Sequence, residues 1–172
     1  MCDVNRTSSV SKVATNDTIG ALVALKILNK QKITKLGMQE KVKREVKIMK
    51  KLQHPHIVYL YHVIDTPTDI FLVIELAKGR DMHTVINKHG KVSKSPLLEN
   101  ANLHLYVANY RVCFQFDESE GKRLFSQLAS ALTFIHSKGV AHRDLKLENI
   151  LFDANHNIKV ADFGLSNMMT DG

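Results

Sequence analysis

Cysteine is scarce in this sequence. Cys2 and Cys113 are the only two in 172 residues, and neither sits in a CxxC or Cys/His pattern. That argues against a disulfide framework and against a zinc site, and it fits a reducing compartment. Long apolar runs are missing as well: no stretch approaches the roughly 20 residues of a membrane span. The opening residues 1–16 are polar and rich in Ser and Thr, without the apolar segment of a secretory signal. Their composition predicts a flexible N-terminal tail over 1–19. Few aromatics accompany the lysines of 26–51, so there is little to stack on bases. The net charge of +7 therefore reads as a solvated helix face, and no nucleic-acid partner is expected. Histidines are frequent, but their spacing matches no metal geometry; His54 and His56 merely flank Pro55.

What is present is the material of a globular core. Hydrophobic residues make up 44% and charged residues 24%, a balance that excludes a disordered chain and suits one domain or part of a larger one. The run ALVALKIL (21–28) is short and apolar enough for a strand, though periodicity alone leaves a helix open. Met38, Val42, Met49 and Leu52 recur at helical spacing, predicting a helix over 38–52. Two further apolar runs, 57–64 and 70–75, flank the turn-forming DTPTD and predict a β-hairpin. A short helix is expected over 81–89, stopped by Gly90. The helix over 117–138 is the clearest. Asp117 and Glu120 resemble a capping box, with Leu124, Phe125, Leu128, Leu132 and Ile135 as its stripe. Strands at 150–152 and 158–160 flank DANHN, another hairpin. No internal repeat is present. The layout is α+β, with a cleft between two lobes.

Two charges stand where core residues belong. Lys26 interrupts an apolar strand, on the face of Leu22, Ala24 and Leu28 under period-2 alternation. Glu45 falls on the apolar stripe of the next helix. An ammonium buried alone is costly, so opposite charges misplaced on consecutive elements suggest a pair. The alternative is that either one reaches solvent along its stem.

A second constellation lies further on. HRDLKLEN (142–149) occupies the loop between the long helix and the small hairpin, and DFG (162–164) follows the hairpin's second strand. With the strand lysine of VALK these form an ordered set, far more specific than any one of them. The chain thereby resembles eukaryotic protein kinases. The resemblance implies a two-lobed kinase-like fold, with a partial small lobe over 20–76 and a partial large lobe over 77–172. It implies ATP and Mg²⁺ as cofactors and protein substrates as partners. Asp144 would orient the attacking hydroxyl and accept its proton. Asn149 and Asp162 would offer oxygen ligands to Mg²⁺, and Lys26, held by Glu45, would bind the α- and β-phosphates. Lys146 would offset charge on the transferred group; a lysine here accompanies Ser/Thr specificity. Around the purine the same resemblance places Ala24 and Leu151 above and below the ring, Ile74 as gatekeeper, and Glu75 and Ala77 at the hinge. It places Asp81 near the ribose.

More narrowly, the segments 23–33, 43–64, 73–76 and 142–172 resemble the catalytic subunit of AMP-activated protein kinase and its fungal sucrose-non-fermenting relatives. That implies regulatory subunits of a heterotrimer and a cytoplasmic or nuclear location. The sequence departs from the family pattern in four places. No GxGxxG precedes Lys26, where Gly20 is the only glycine. Nothing matching the activation segment or APE follows DFG before Gly172. Residues 94–116 form an atypical apolar and aromatic insert, read as a retained intron or gene-model error, with a genuine insert as the alternative. Leu147 replaces the usual proline of HRDLKPEN. The expectation is an ATP-dependent Ser/Thr kinase whose 172-residue chain is itself inactive; the rival is a catalytically inactive kinase-like fragment acting by ATP or protein binding.

Overall fold

The run that begins at Ala21 settles as a strand because both its backbone edges find partners. The computed structural model describes residues 9–16, 20–89 and 116–169. In it β1 (Ser9–Asn16) pairs antiparallel with β2 (Ala21–Asn29), and β2 pairs in turn with β4 (Asp69–Glu75). With β3 (Leu60–Asp65) on the far side of β4, the order of the four-stranded sheet is β1-β2-β4-β3. The expected tail over 1–19 is therefore corrected for Ser9–Asn16. This strand is an edge whose Val10 and Val13 are both exposed, at 56% and 61%. Lacking a buried face, it shows no apolar alternation, and its polar composition reads as coil. Gly20, at φ +63°, takes the left-handed conformation that the turn back into β2 requires.

Two helices follow β2. The first is α1 (Lys30–Lys35), N-capped by the Asn29 side chain, which accepts a hydrogen bond from Lys32 N at 3.1 Å. The second, α2 (Gln39–Lys51), buries Val42, Glu45, Ile48 and Met49. The expected stripe thus holds, with Ile48 added to it. The hairpin after α2 starts later than its apolar run suggests. Ile57 and Val58 leave it to meet the helical part: Val58 N donates to Val160 O and Val160 N to His56 O, each at 2.9 Å. Backbone ties of this kind fasten the sheet to the helices and the small hairpin.

The helical part opens with α3 (Met82–His89). The insert expected at 94–116 lies, apart from Phe116, outside the described residues. Next comes α4 (Glu118–Ser137), capped by Asp117, whose carboxylate accepts from Glu120 N at 2.7 Å. Glu120 does not reciprocate; its carboxylate binds Arg123 instead. The stripe of α4 also needs correcting. Leu124, Ala131 and Ile135 are buried, whereas Phe125 is 60% exposed. A step of one residue rotates a side chain by about 100°, which carries Phe125 off the face that Leu124 occupies.

After α4 come a short strand β5 (Val140–Ala141), a 3-10 turn at Leu147–Asn149, and the hairpin of β6 (Ile150–Phe152) and β7 (Ile158–Val160). A final strand β8 (Asn167–Met168) pairs with β5. Hydrogen bonds pin the hairpin onto α4. Arg123 and Gln127 both donate to Asn157 Oδ1, at 2.9 and 2.8 Å, and Ile158 N donates to Gln127 Oε1 at 3.0 Å. One apolar cluster runs from Leu28, Ile48 and Leu72 of the sheet part to Ile135, Val160 and Phe163 of the helical part. Each such side chain contributes about 1.5–3 kcal/mol on burial, so the loop carrying HRD and DFG sits on a packed base.

Candidate active site

The strand, the helix and the loop each deliver one charge to a common point. Lys26 emerges from β2 with its Nζ 2.6 Å from Glu45 Oε1 on α2. The same ammonium lies 3.9 Å from Asp162 Oδ1. Glu45 is the buried partner, its side chain 8% exposed against 21% for Lys26 and 51% for Asp162. The pairing suggested by two misplaced charges is thus present, and it is the sheet–helix packing that aligns it. Gly164 keeps this corner open: a Cβ there would come within 3.1 Å of Asp162 Oδ1 and 3.7 Å of Glu45 Oε2.

Asp144, Lys146 and Asn149 form a second group. Lys146 Nζ donates to Asp144 Oδ2 at 2.9 Å, and Asn149 Nδ2 donates to Asp144 O at 2.8 Å and to Oδ2 at 3.2 Å. Lys146 beside it, more than any other neighbour, holds the Asp144 carboxyl below the usual carboxylate range. The carboxylate is therefore ionised at neutral pH, with Oδ1 accepting no hydrogen bond among the described residues. The two groups are joined through the backbone, since Ala161 N donates to Asn149 O at 2.8 Å. Asp162 thus follows directly on a residue bonded to Asn149.

The backbone around both acids is bent unusually. Arg143 and Asp162 adopt positive φ, +67° and +60°. For residues with a side chain this costs of order 1–2 kcal/mol, and packing holds the bend in place. Beneath the loop, His142 is 4% exposed and its ring lies 4.9 Å from that of Phe163, itself 1% exposed. His142 Nε2–H donates to Ala161 O at 3.0 Å, and its Nδ1 accepts from Asp144 N at 3.4 Å. Burial pushes the His142 pKa down, so the ring stays neutral and keeps that acceptor.

The residue set spanning 6–172 of this chain matches the protein kinase domain family. The chain belongs to the protein kinase family. As a kinase it carries a transferase fold with ATP and protein substrates as its general partners, and its remaining expected site residues can be placed in that light. Ala24 and Ile74 are register partners on β2 and β4. Glu75 ends β4 and Ala77 follows in the connection to α3, outside any strand. The Glu75 N–H is already spent on Tyr59 O at 2.8 Å. Leu151 lies in β6 and forms an isolated bridge with Asp81.

Asp81, expected near the ribose, also caps a helix. Its carboxylate accepts from Thr84 N at 2.7 Å and from Thr84 Oγ1 at 2.6 Å, capping α3. Burial pushes its pKa up, but the Thr84 bonds outweigh that and leave it lowered. Each oxygen thus accepts one bond from α3 and keeps a second lone pair.

Sequence reasoning missed Lys159. Its Nζ lies 2.6 Å from Glu75 Oε1, tying β4 to β7. Glu75 Oε2 also accepts from Tyr59 N at 3.1 Å. A lysine at the centre of a three-residue strand with buried neighbours was the available signal. Its partner, however, lies 84 positions away (159 − 75), and nothing local points to it.

Proposed function

We propose that this kinase transfers the γ-phosphoryl group of ATP, with Mg²⁺, to Ser or Thr hydroxyls of proteins, and that it is of the AMP-activated type. The observation that carries the reading is the position of Lys26 Nζ, within 2.6 Å of Glu45 and 3.9 Å of Asp162. An ammonium fixed between two carboxylates, one of them half exposed, suits a ligand that brings phosphate oxygens and a metal together.

The donor set fits Mg²⁺. Asp162 offers a half-exposed carboxylate. Asn149 spends its Nδ2 on Asp144, which leaves Oδ1 as the atom available to a hard cation. When bound, the metal supplies charge neutralisation to the β- and γ-phosphate oxygens. Lys26 binds the α- and β-phosphates, and Glu45 orients it. Asp144 Oδ1 accepts a hydrogen bond from the substrate hydroxyl and takes its proton as the Oγ–P bond forms and the β,γ-bridging O–P bond breaks, releasing ADP. Lys146, anchored on the other oxygen of Asp144, faces the charge carried by the transferred group.

In this reading Ala24 and Leu151 sandwich the adenine, Ile74 is the gatekeeper, Glu75 and Ala77 form the hinge, Asp81 lies near the ribose, and the small lobe runs over 20–76 with the large lobe from 77. Regulatory subunits and a cytoplasmic or nuclear location belong to the same proposal. It rests on the HPHIVYLYHVI-like stretch and on GLSNMMTDG.

The test has two arms. Mg²⁺–ATP should raise the melting temperature of the chain by favouring the folded state, and Asp162→Asn should remove that shift. Transfer of labelled phosphate to Ser, Thr and Tyr peptides is then scored against Asp144→Ala, and transfer above that control would overturn the expectation that the 172-residue chain is itself inactive. A melting temperature indifferent to Mg²⁺–ATP sinks the nucleotide reading, and transfer to Tyr alone sinks the Ser/Thr assignment.

A further inference from the structure

A one-sided cationic surface lies on the back of α2, away from Glu45. Lys43, Arg44, Lys47, Lys50 and Lys51 are all exposed. At about 100° per residue they fall within an arc of about 120°, and from Lys43 to Lys51 they span about 12 Å. Glu40 enters the same arc and is held by Lys43 at 2.8 Å. Among the described residues Arg44, Lys47, Lys50 and Lys51 take part in no ion pair.

Several exposed cations elsewhere are compensated, although Lys12, Lys32, Lys35, Lys78, Arg80 and Arg143 also enter no ion pair among the described residues; what sets α2 apart is the number of cations gathered on one face. On α4, Lys122 pairs with Glu118 and Arg123 with Glu120, each at 2.7 Å, and Lys138 sits over the Phe134 ring. Lys30 pairs with Asp65. On α2 like charges recur at i,i+3 and i,i+4, an arrangement that destabilises a helix. The helix dipole rewards cations in the last turn and so accounts for Lys50 and Lys51. It does not account for Arg44 and Lys47.

We propose that the outer face of α2 is a docking surface for an acidic polypeptide segment. Charge complementarity selects the occupant. No large apolar side chain is exposed between Gln39 and Lys51, so nothing on this face would insert into a bilayer. The stripe also carries no aromatic residue on which an unpaired base could stack. A narrow row of cations on one helix matches a row of carboxylates on an extended or helical chain. The residues involved are separate from the nucleotide site, which lies on the opposite side of α2.

The experiment measures binding of a fluorescent polyglutamate peptide of about 12 residues, long enough to cover the stripe, to the 172-residue chain. The variant Lys47→Glu/Lys50→Glu is compared with Lys12→Glu/Lys122→Glu, which changes net charge equally elsewhere. The stripe variant should weaken binding about tenfold or more, and the control less than about threefold. Equal losses would show that net charge alone attracts the peptide, and the proposal falls. It falls also if phosphatidylserine vesicles or a DNA duplex bind the stripe more tightly than the peptide does. Should the double reversal disturb folding, Lys47→Gln/Lys50→Gln replaces it; an unchanged Kd there is equally fatal, and a several-fold loss supports the docking face.

Discussion

Glu75 and Lys159 form an ion pair at 2.6 Å, with side chains only 22% and 12% exposed, that joins the end of β4 to the middle of β7. The pair thereby ties the four-stranded sheet directly to the small hairpin of the helical part.

Removing one partner should cost more than removing both. Lys159→Met leaves Glu75 with only the Tyr59 N–H, and the expected loss is about 1–3 kcal/mol. In the double variant Glu75→Leu/Lys159→Met no half-buried charge is stranded, and part of that stability returns. Urea denaturation of the two singles and the double measures the coupling; additive losses would show that the pair does not act as a unit.

The Lys26–Glu45 pair separates stability from binding. Lys26→Met strands the buried Glu45 carboxylate, so both stability and Mg²⁺–ATP affinity should fall, affinity by roughly 10–100-fold. Lys26→Met/Glu45→Leu should be more stable than the single variant, because an apolar pair can replace a buried ion pair at little cost. Its nucleotide affinity should remain as weak as that of the single variant. Calorimetric titration beside a melting curve distinguishes the two effects, and restored binding in the double variant would remove Lys26 from the phosphate site.

Gly79 has a steric role. A Cβ at this position would lie 2.6 Å from Phe152 O and 2.7 Å from Phe152 Cβ, while Gly79 N donates to that same carbonyl at 2.8 Å. The backbone has no room to retreat without breaking the bond. Gly79→Ala should therefore lower stability by about 1–3 kcal/mol. An unchanged urea midpoint would mean that β6 shifts freely.

His142 makes stability depend on pH in one direction. Its folded pKa lies below the unfolded value of about 6.5 because the ring is buried. The unfolded chain therefore binds the proton first. The contribution of neutral His142 is complete above about pH 6.5 and is lost as pH falls through the folded pKa. His142→Phe keeps an aromatic ring against Phe163 but cannot titrate. Its loss of stability between about pH 7.5 and 5 should be smaller than that of the parent chain; equal slopes would refute the assignment. His54, also lowered by burial, titrates in the same sense in both proteins.

Much of the site was legible because its residues are wrong for their surroundings. A lysine in an apolar strand and a glutamate on an apolar stripe each violate local pattern, and HRD and DFG stand in loops at fixed distances from their flanking elements. Reading β1 was harder. An edge strand exposed on both faces owes its existence to the backbone of β2, not to its own side chains. Phe125 misled for the opposite reason: apolar periodicity marks a face only to within about a residue, and one residue is about 100° of helix.

The amino-acid order alone indicated most of the longer elements and the side chains proposed to carry chemistry, because helix and strand periods, turn residues and short motifs are local properties of the chain. Folding decided how charges remote in sequence meet. Lys26 reaches Asp162, Glu75 reaches Lys159, and Asp81 turns its carboxylate into α3, since such contacts depend on how packed elements are aligned and no nearby residue encodes them.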